Sequence, residues 1–288
     1  MPSTIVLKRR ISSIRSTRQI TKAMELVSAS KLRRAQAIAQ QSRDYQELAY
    51  ELLQRLSILP EAGSHPMFAR KKINSRLYVV ITSNSGLAGA YNANINKELL
   101  TKLQRDRDEN VNSQVIVVGN KGAQFVRRLE KVKLTAVFQP FGDEPTAENI
   151  RSLLNMVMKA YADKEVESIE LIYTSFVSTI VQKVTVLPLL PVEAPDKDDH
   201  FSTIATFEPD VETVINQVTT RLIEAQIWQS VLESLASEHA MRMVATKNAT
   251  DNANELIDDY TLELNTARQA AITQELAEIT GGAEALNS

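Results

Sequence analysis

DVETVINQVTTRLIEAQIWQSVLESLASEHAMRMVATKNATDNANELIDDYTLELNTARQAAITQELAEIT, residues 210 to 280, holds neither glycine nor proline across 71 positions. Apolar side chains recur through it at steps of three and four: Val211, Val214, Val218, Leu222, Ala225, Trp228, Leu232 and Leu235, then Ala249, Ala253, Leu256, Tyr260, Leu264, Ala267 and Ala271. That spacing lays one stripe along a continuous α-helix, with Gly281-Gly282 as its stop signal. At the helical rise such a rod is about 105 Å long, well beyond the diameter of a small domain. A helix of this kind draws its stability from a packed partner rather than from propensity.

The amino-terminal end offers that partner. Ser3 to Leu59 again lacks glycine and proline, and Ile11, Ile14, Met24, Val27, Leu32, Ala35, Ile38, Tyr45, Leu48, Leu52, Leu56 and Leu59 trace a second stripe. Apart from Pro2 and Gly281-Gly282, every glycine and proline lies between Pro60 and Pro209. The expected division is therefore a helix over 1–59, a central domain over 60–209 and a second helix over 210–288. Residues 1–34 carry nine Lys or Arg and one acid, Glu25, whereas residues 250–288 carry eight acids and one base, Arg268. An antiparallel hairpin of the two helices sets these opposite charges side by side. Exposed pairs contribute only about 0.2 to 1 kcal/mol each, so they argue for direction rather than stability. The small side chains Ala236, Ala240, Ala245, Ala249 and Ala253 then make a slim helix facing Met24 and Val27. Past Leu264 the stripe thins among Asn265, Thr266, Gln269, Thr273 and Gln274, and the second helix overhangs the first by roughly 21 Å.

Composition narrows the chemistry. With 288 residues, 43% of them hydrophobic, the chain can bury a substantial core, and a net charge of −2 gives no global nucleic-acid signature. The absence of cysteine removes disulfides, thiolate nucleophiles and zinc-thiolate sites. No apolar run approaches the roughly 20 residues that span a bilayer. The first 34 residues have the Arg-rich, acid-poor composition of a transit peptide, but the apolar stripe runs through them without a break. As a nucleic-acid arm they lack any aromatic residue before Tyr45 on which a base could stack.

Between the helices, strand-like and helix-like segments alternate. Strands are expected at Leu77–Thr82, Gln114–Val118, Lys133–Phe138 and Ser168–Phe176, with an edge strand at Val181–Leu190 that carries Pro188. Helices fall near 92–107, 123–130 and 146–162, and a loop follows from Pro191 to Asp199. This rhythm gives a largely parallel sheet flanked by helices, a Rossmann-like α/β domain. Two glycine turns follow strands, Ser85-Gly86-Leu87-Ala88-Gly89 and Val118-Gly119-Asn120-Lys121-Gly122. Neither has the spacing of a dinucleotide fingerprint or a Walker A loop, so both read as tight strand-to-helix turns. His65, His200 and His239 are scattered without ligand spacing, and Glu255, Asp258, Asp259 and Glu263 read as a solvated or base-facing helix face rather than a cation site. No metal, no cofactor and no catalytic nucleophile is called for.

Three segments carry a resemblance. Ile11 to Gln36 reads ISSIRSTRQITKAMELVSASKLRRAQ. Ser83-Asn84-Ser85-Gly86-Leu87-Ala88-Gly89 follows the first strand. Ser234 to Met243 (SLASEHAMRM), Lys247 to Ile257 (KNATDNANELI) and Ala267 to Glu275 (ARQAAITQE) lie in the last helix. Together they resemble the γ subunit of bacterial F-type ATP synthases, with Asn84 and Ser85 standing where that family usually has Asp-Arg. The resemblance implies a non-catalytic central-stalk rotor at the cytoplasmic face of the plasma membrane. Its two helices would form a shaft within an α3β3 hexamer, and its α/β domain would sit with ε against the ring of c subunits. It further implies contacts with β subunits at Met24, Arg242, Arg268, Gln269, Thr273 and Glu275. Two other classes stay open on the residues alone: a coiled-coil scaffold with a nucleotide-binding α/β domain, and a nucleic-acid binder using the basic end.

Overall fold

The computed structural model describes residues 3–57, 65–68, 72–139, 141–142, 145–192, 208 and 210–287. Its contacts divide the chain into two units, Ala29–Arg242 and Met1–Ser28 with Met243–Ser288. Helices α1 (Thr4–Ser57) and α5 (Val211–Asn287) contribute to both.

The larger unit is built on a five-stranded sheet. Its elements are β1 (Ser75–Ile81), α2 (Tyr91–Asp108), β2 (Asn112–Val118), α3 (Asn120–Val126), β3 (Lys133–Phe138), α4 (Ala147–Ala162), β4 (Ser168–Phe176) and β5 (Gln182–Leu190). The strand order is β3-β2-β1-β4-β5, with β5 antiparallel to β4 and all other pairs parallel. In β1 the run Leu77-Tyr78-Val79-Val80-Ile81 is buried on both faces, as a central parallel strand must be. Leu77, Val79 and Ile81 pack with Ile150, Leu153 and Val157 of α4 and with Leu222, Ile223 and Ile227 of α5. Tyr78 and Val80 pack on the opposite face with Tyr91, Ile95 and Leu99 of α2 and with Ala123 and Val126 of α3. Each fully buried aliphatic side chain contributes about 1.5 to 3 kcal/mol. The α2 crossover joins β1 to β2, and the α4 crossover joins β3 to β4 in the opposite direction across the sheet, so α2 and α4 cover opposite faces.

Several expected boundaries shift. The helix expected over 123–130 is instead the short α3, because Gly119 turns the chain with φ 99° and the helix starts directly after it. A Cβ at Gly119 would run into the Thr82 carbonyl, so only glycine fits. Of the loop expected from Pro191 to Asp199, residues 193 onward lie outside the described residues. Leu59 also lies outside them, as do the side chains of Tyr45, Leu52, Leu56 and Val211.

The smaller unit is an antiparallel pair of helical segments. Arg10 stacks over the Tyr260 ring at 5.7 Å, the Arg18 guanidinium donates to Asn254 Oδ1 at 3.2 Å, and the Thr21 and Thr250 hydroxyls meet at 2.8 Å. As the residue number rises on α1 it falls on α5, which is the direction expected from the charges. The buried face differs from the apolar stripes in one respect. Leu7, Ile11, Thr21 and Ser28 are buried on α1, and Thr246, Thr250, Ala253 and Ile257 on α5, whereas Val27 is 53% and Leu256 44% exposed. Met24 is half-buried. Steps alternating between three and four carry the contact line through Thr21 and Ser28 and past Val27, so small polar side chains hold the close approach there. In the larger unit Leu48, also assigned to the stripe, is 60% exposed.

Gly281-Gly282 does not end α5. The helix continues through both glycines to Asn287. Glycine inside a helix costs about 1 kcal/mol relative to alanine, a penalty rather than a stop, and neither residue takes the left-handed conformation of a helix-ending cap.

Candidate functional site

The strand order reverses direction between β1 and β4, and in open α/β sheets this is the crevice where ligands enter, beyond the carboxyl ends of the strands. Here α5 lies against it. Ser234 Oγ meets the Tyr91 hydroxyl at 2.7 Å and lies 3.5 Å from the Thr174 N–H, while the Ser237 hydroxyl donates to the Thr174 carbonyl at 3.1 Å. Ser234 and Ser237 are both essentially fully buried. The polar groups that would meet a nucleotide are thus bonded to the chain's own helix.

The two glycine turns are filled in the same way. At the amino end of α3, the Gly122 N–H donates to Thr82 Oγ1 at 3.0 Å and the Lys121 N–H to the Ser83 carbonyl at 3.1 Å. The Thr82 hydroxyl itself donates to the Val118 carbonyl at 2.9 Å. These are amides that a phosphate would need. In the first turn the Ser83 N–H donates to Asn92 Oδ1 at 3.1 Å, Asn92 Nδ2 donates to Ser83 Oγ at 2.7 Å, and the Ser83 hydroxyl donates to the Ser85 carbonyl at 2.7 Å. This mesh holds Leu87 in the left-handed region, φ 59°, with its side chain 63% exposed. Arg242 closes the turn onto α5: its Nη2 pairs with Glu238 at 2.7 Å and donates to Ser85 Oγ at 3.2 Å, and the guanidinium reaches the Gly86 carbonyl at 3.5 Å. Ser85, which stands where the family pattern has arginine, is therefore a hydrogen-bond acceptor for Arg242.

The other residues singled out from sequence fall in the smaller unit. Arg268, Gln269, Thr273 and Glu275 lie on consecutive turns of α5, and all are exposed. The Thr273 hydroxyl donates back to the Gln269 carbonyl at 3.0 Å, leaving its methyl and the neighbouring side chains outward. From Arg268 to Gly282 every residue is exposed, including Ile272, Leu276 and Ile279 at 50 to 63%. Met24 shares this unit on α1, and Arg242 belongs to the larger one.

Sequence reasoning missed two polar constellations. One is buried beneath α2: Asp106, fully inaccessible, accepts from Arg76, from the Tyr78 hydroxyl at 2.8 Å and from the Ser113 hydroxyl at 2.9 Å. Glu170 bridges Arg76 at 3.4 Å and Lys102 at 3.0 Å. The other links α1, α5 and β4 through Ser42, Gln229, Glu233 and Ser175. Beyond Arg76 with Tyr78 on β1, Lys102 with Asp106 on α2 and Gln229 with Glu233 on α5, the members lie in separate elements, so no motif announces either. Among the described residues no group of three or more His, Asp or Glu could hold a metal ion, and no helix is long and apolar enough to cross a membrane.

Against known families, the ATP synthase model matches residues 3–286. The ATP synthase gamma chain of Xylella fastidiosa strain M12 is 39% identical over 282 residues, covering 97% of this chain and 98% of that one. The chain belongs to the ATP synthase gamma-chain family. Family members from Psychrobacter arcticus, 37% identical with both chains fully covered, and from Staphylococcus aureus strain JH9, 38% identical over 96% of each, agree. Among solved structures, a chain of the Euglena gracilis mitochondrial ATP synthase in an OSCP/F1/c-ring assembly superposes with a TM-score of 0.69 at 19% identity, covering 98% of this chain and 94% of that chain. A chain of the Tetrahymena thermophila mitochondrial ATP synthase central stalk and c-ring superposes with a TM-score of 0.62 at 24% identity, covering 80% and 99%. At these identities the likeness bears on the fold alone.

Proposed function

We propose that this gamma-chain family member is the central-stalk rotor of a bacterial ATP synthase. It would couple ion-driven turning of a c-ring to conformational cycling of catalytic β subunits within an α3β3 hexamer, with ε beside its α/β domain. The observation that carries this reading is the end of α5: fifteen consecutive exposed residues, Arg268 to Gly282, with Ile272, Leu276 and Ile279 outward and no second helix along them among the described residues. An exposed helix with apolar residues on successive turns requires a surrounding surface made by other chains. Its side chains are small or of mixed polarity, which suits sliding contact better than permanent burial.

In this reading the division into 1–59, 60–209 and 210–288 separates shaft, base and shaft. Arg268, Gln269, Thr273 and Glu275 meet β subunits near the tip and Met24 meets them lower down, while Arg242 acts from beside the Ser83–Gly89 turn. The protein itself is non-catalytic. That is supported by the crevice at the strand reversal, which α5 fills, and by the glycine-turn amides, which Thr82 and Ser83 occupy. The chain works peripherally at the cytoplasmic face of the plasma membrane, held there by its complex. The shaft acts by differential contact energy with open and closed β conformers, the only means by which its orientation can shift them.

Co-expression with bacterial α and β subunits tests the reading. The expected result is a complex containing this chain whose ATP hydrolysis turns a bead attached to it. A chain that stays outside the α and β assembly, or that cleaves ATP alone, overturns the proposal. Replacing Met24 with Lys adds a cation opposite an acidic β segment and should lower ion movement per ATP; an unchanged ratio removes Met24 from the contact.

A further inference from the structure

We infer that a hydrogen-bonded side-chain bridge through Glu233 keys α5 against turning about its own axis, which makes Glu233 a positioning residue for torque transfer; this rests on the rotor reading above. Within the larger unit the Ser42 hydroxyl of α1 donates to Gln229 Oε1 at 2.6 Å. Gln229 Nε2 donates to Glu233 Oε1 at 3.1 Å, one turn further along α5. The second carboxylate oxygen, Glu233 Oε2, accepts from the Ser175 hydroxyl of β4 at 2.7 Å. One helix, the next helix and the sheet are thereby joined through a single amide and a single carboxylate.

Apolar contact covers part of the α5 surface over this stretch, and Ser230, Ser234 and Ser237 are buried polar positions beside it. Leu222, Ile223, Ile227 and Val231 pack on the sheet, and Ala236 and Ala240 are buried. Apolar contact is non-directional, so it holds a helix in a groove without fixing its rotation about its axis. Hydrogen bonds weaken steeply once their angle is lost, and a turn of one residue position, about 100°, would swing Glu233 away from both partners. Gln229 is 8% exposed, and the Glu233 carboxylate has both oxygens engaged, so the bridge is held on its whole length. Ser234 and Ser237 extend the same fixed face toward Tyr91 and Thr174. The Glu233 bridge ties α5 to α1 as well as to the sheet.

The test uses the whole complex, in membranes of a bacterium lacking its own gamma chain, with ATP hydrolysis and ATP-driven membrane potential read in parallel. Gln229→Leu with Glu233→Leu replaces the bridge by helix-favouring apolar side chains of similar size. The expected result is hydrolysis retained, thermal unfolding unchanged and membrane potential per ATP reduced. Glu233→Gln with Gln229 kept, which leaves an acceptor and adds a donor at the bridge, keeps the potential per ATP of the unaltered chain. A double-leucine chain that drives the same potential per ATP as the unaltered chain overturns the key, as does one whose loss follows lowered thermal stability and is matched by an equal loss in Glu233→Gln. If the double-leucine chain does not assemble, Ser175→Ala, which removes only the β4 end of the bridge, decides on the same ratio. Failure of the unaltered chain to restore either activity counts instead against the rotor reading.

Discussion

The Tyr91 hydroxyl and Ser234 Oγ meet at 2.7 Å in a site sealed from solvent, and this contact fixes the face that α5 turns toward α2. Burial pushes the Tyr91 pKa above its ordinary value of 10, with Glu238 adding to the rise. A tyrosine whose native pKa is raised holds its proton longer when folded than when unfolded. Its stabilising contribution is therefore complete below pH 10 and is lost as pH rises from there toward the native value. Tyr91→Phe should cost about 1 kcal/mol at pH 7 and show a shallower loss of stability above pH 10, by urea unfolding at a series of pH values. An identical alkaline slope in the two proteins would refute this.

Asp106 and Arg76 are both buried and joined, and they respond to substitution as a pair. Asp106→Leu alone leaves the Arg76 guanidinium without its main counter-charge and should cost about 3 to 5 kcal/mol. Adding Arg76→Met removes the orphaned charge, and most of the stability should return, since a buried ion pair and a well-packed apolar pair are often close in free energy. Glu170 keeps Lys102 as its partner in the double variant. Equilibrium unfolding of the two singles and the double checks the cycle, and additive losses would show that the pair is not coupled.

Much of this architecture could be read from the order of residues, and the misses share a physical cause. Glycine- and proline-free runs mark α1 and the start of α5 because nothing local interrupts them, although α5 runs on through Gly281-Gly282, and the β-rich segments Lys133–Phe138 and Ser168–Phe176 coincide with β3 and β4. Hydropathy selected Val27 and Leu256 for the helix contact, while geometry selected Thr21, Ser28, Thr246 and Thr250. A two-helix contact line asks for small size where helices come close, and hydroxyls that bond back to their own helix meet that demand without looking apolar. The Arg76 and Glu233 constellations are assembled by the topology from positions far apart in the chain, so no window of sequence contains them. At the candidate site the exposed α5 positions were identified from resemblance, and the engagement of Arg242 with Ser85 became apparent only when the turn was placed against the helix.

Thr21 and Thr250 illustrate the same point energetically. The Thr21 hydroxyl also reaches the Arg18 carbonyl at 3.1 Å, and the Thr250 hydroxyl the Thr246 carbonyl at 2.9 Å. Each threonine can turn to its own helix when the other is lost, so Thr21→Val or Thr250→Val alone should cost less than about 1 kcal/mol, and the double change should be close to neutral. Thermal unfolding of the three variants measures this; a cost of several kcal/mol for the double would mean the hydroxyl pair is structurally indispensable.

Ser85 accepts from Arg242 where an arginine would compete with it. Ser85→Arg sets two guanidinium groups at one turn with Glu238 as their shared carboxylate. The turn should loosen, with faster amide exchange at residues 84–88 and little change in β1, whose hydrogen bonds to β2 and β4 are untouched. Unaltered exchange across the turn would show that Arg242 does not hold it.

Deleting everything after Leu264 separates the shaft's tip from the fold. The removed segment begins where α5 becomes continuously exposed, apart from half-buried Ala267, and it contributes nothing to the two apolar clusters on the faces of the sheet. The thermal unfolding of the sheet-containing unit should therefore remain as in the full chain. Association with α and β subunits should weaken because Arg268, Gln269, Ile272, Thr273, Glu275, Leu276 and Ile279 go together, and any torque that still develops should be smaller. Sedimentation of the shortened chain with α and β subunits, followed by bead rotation under ATP, distinguishes the two effects. Full association with full torque would place the working contacts below Leu264, on the paired part of the helices.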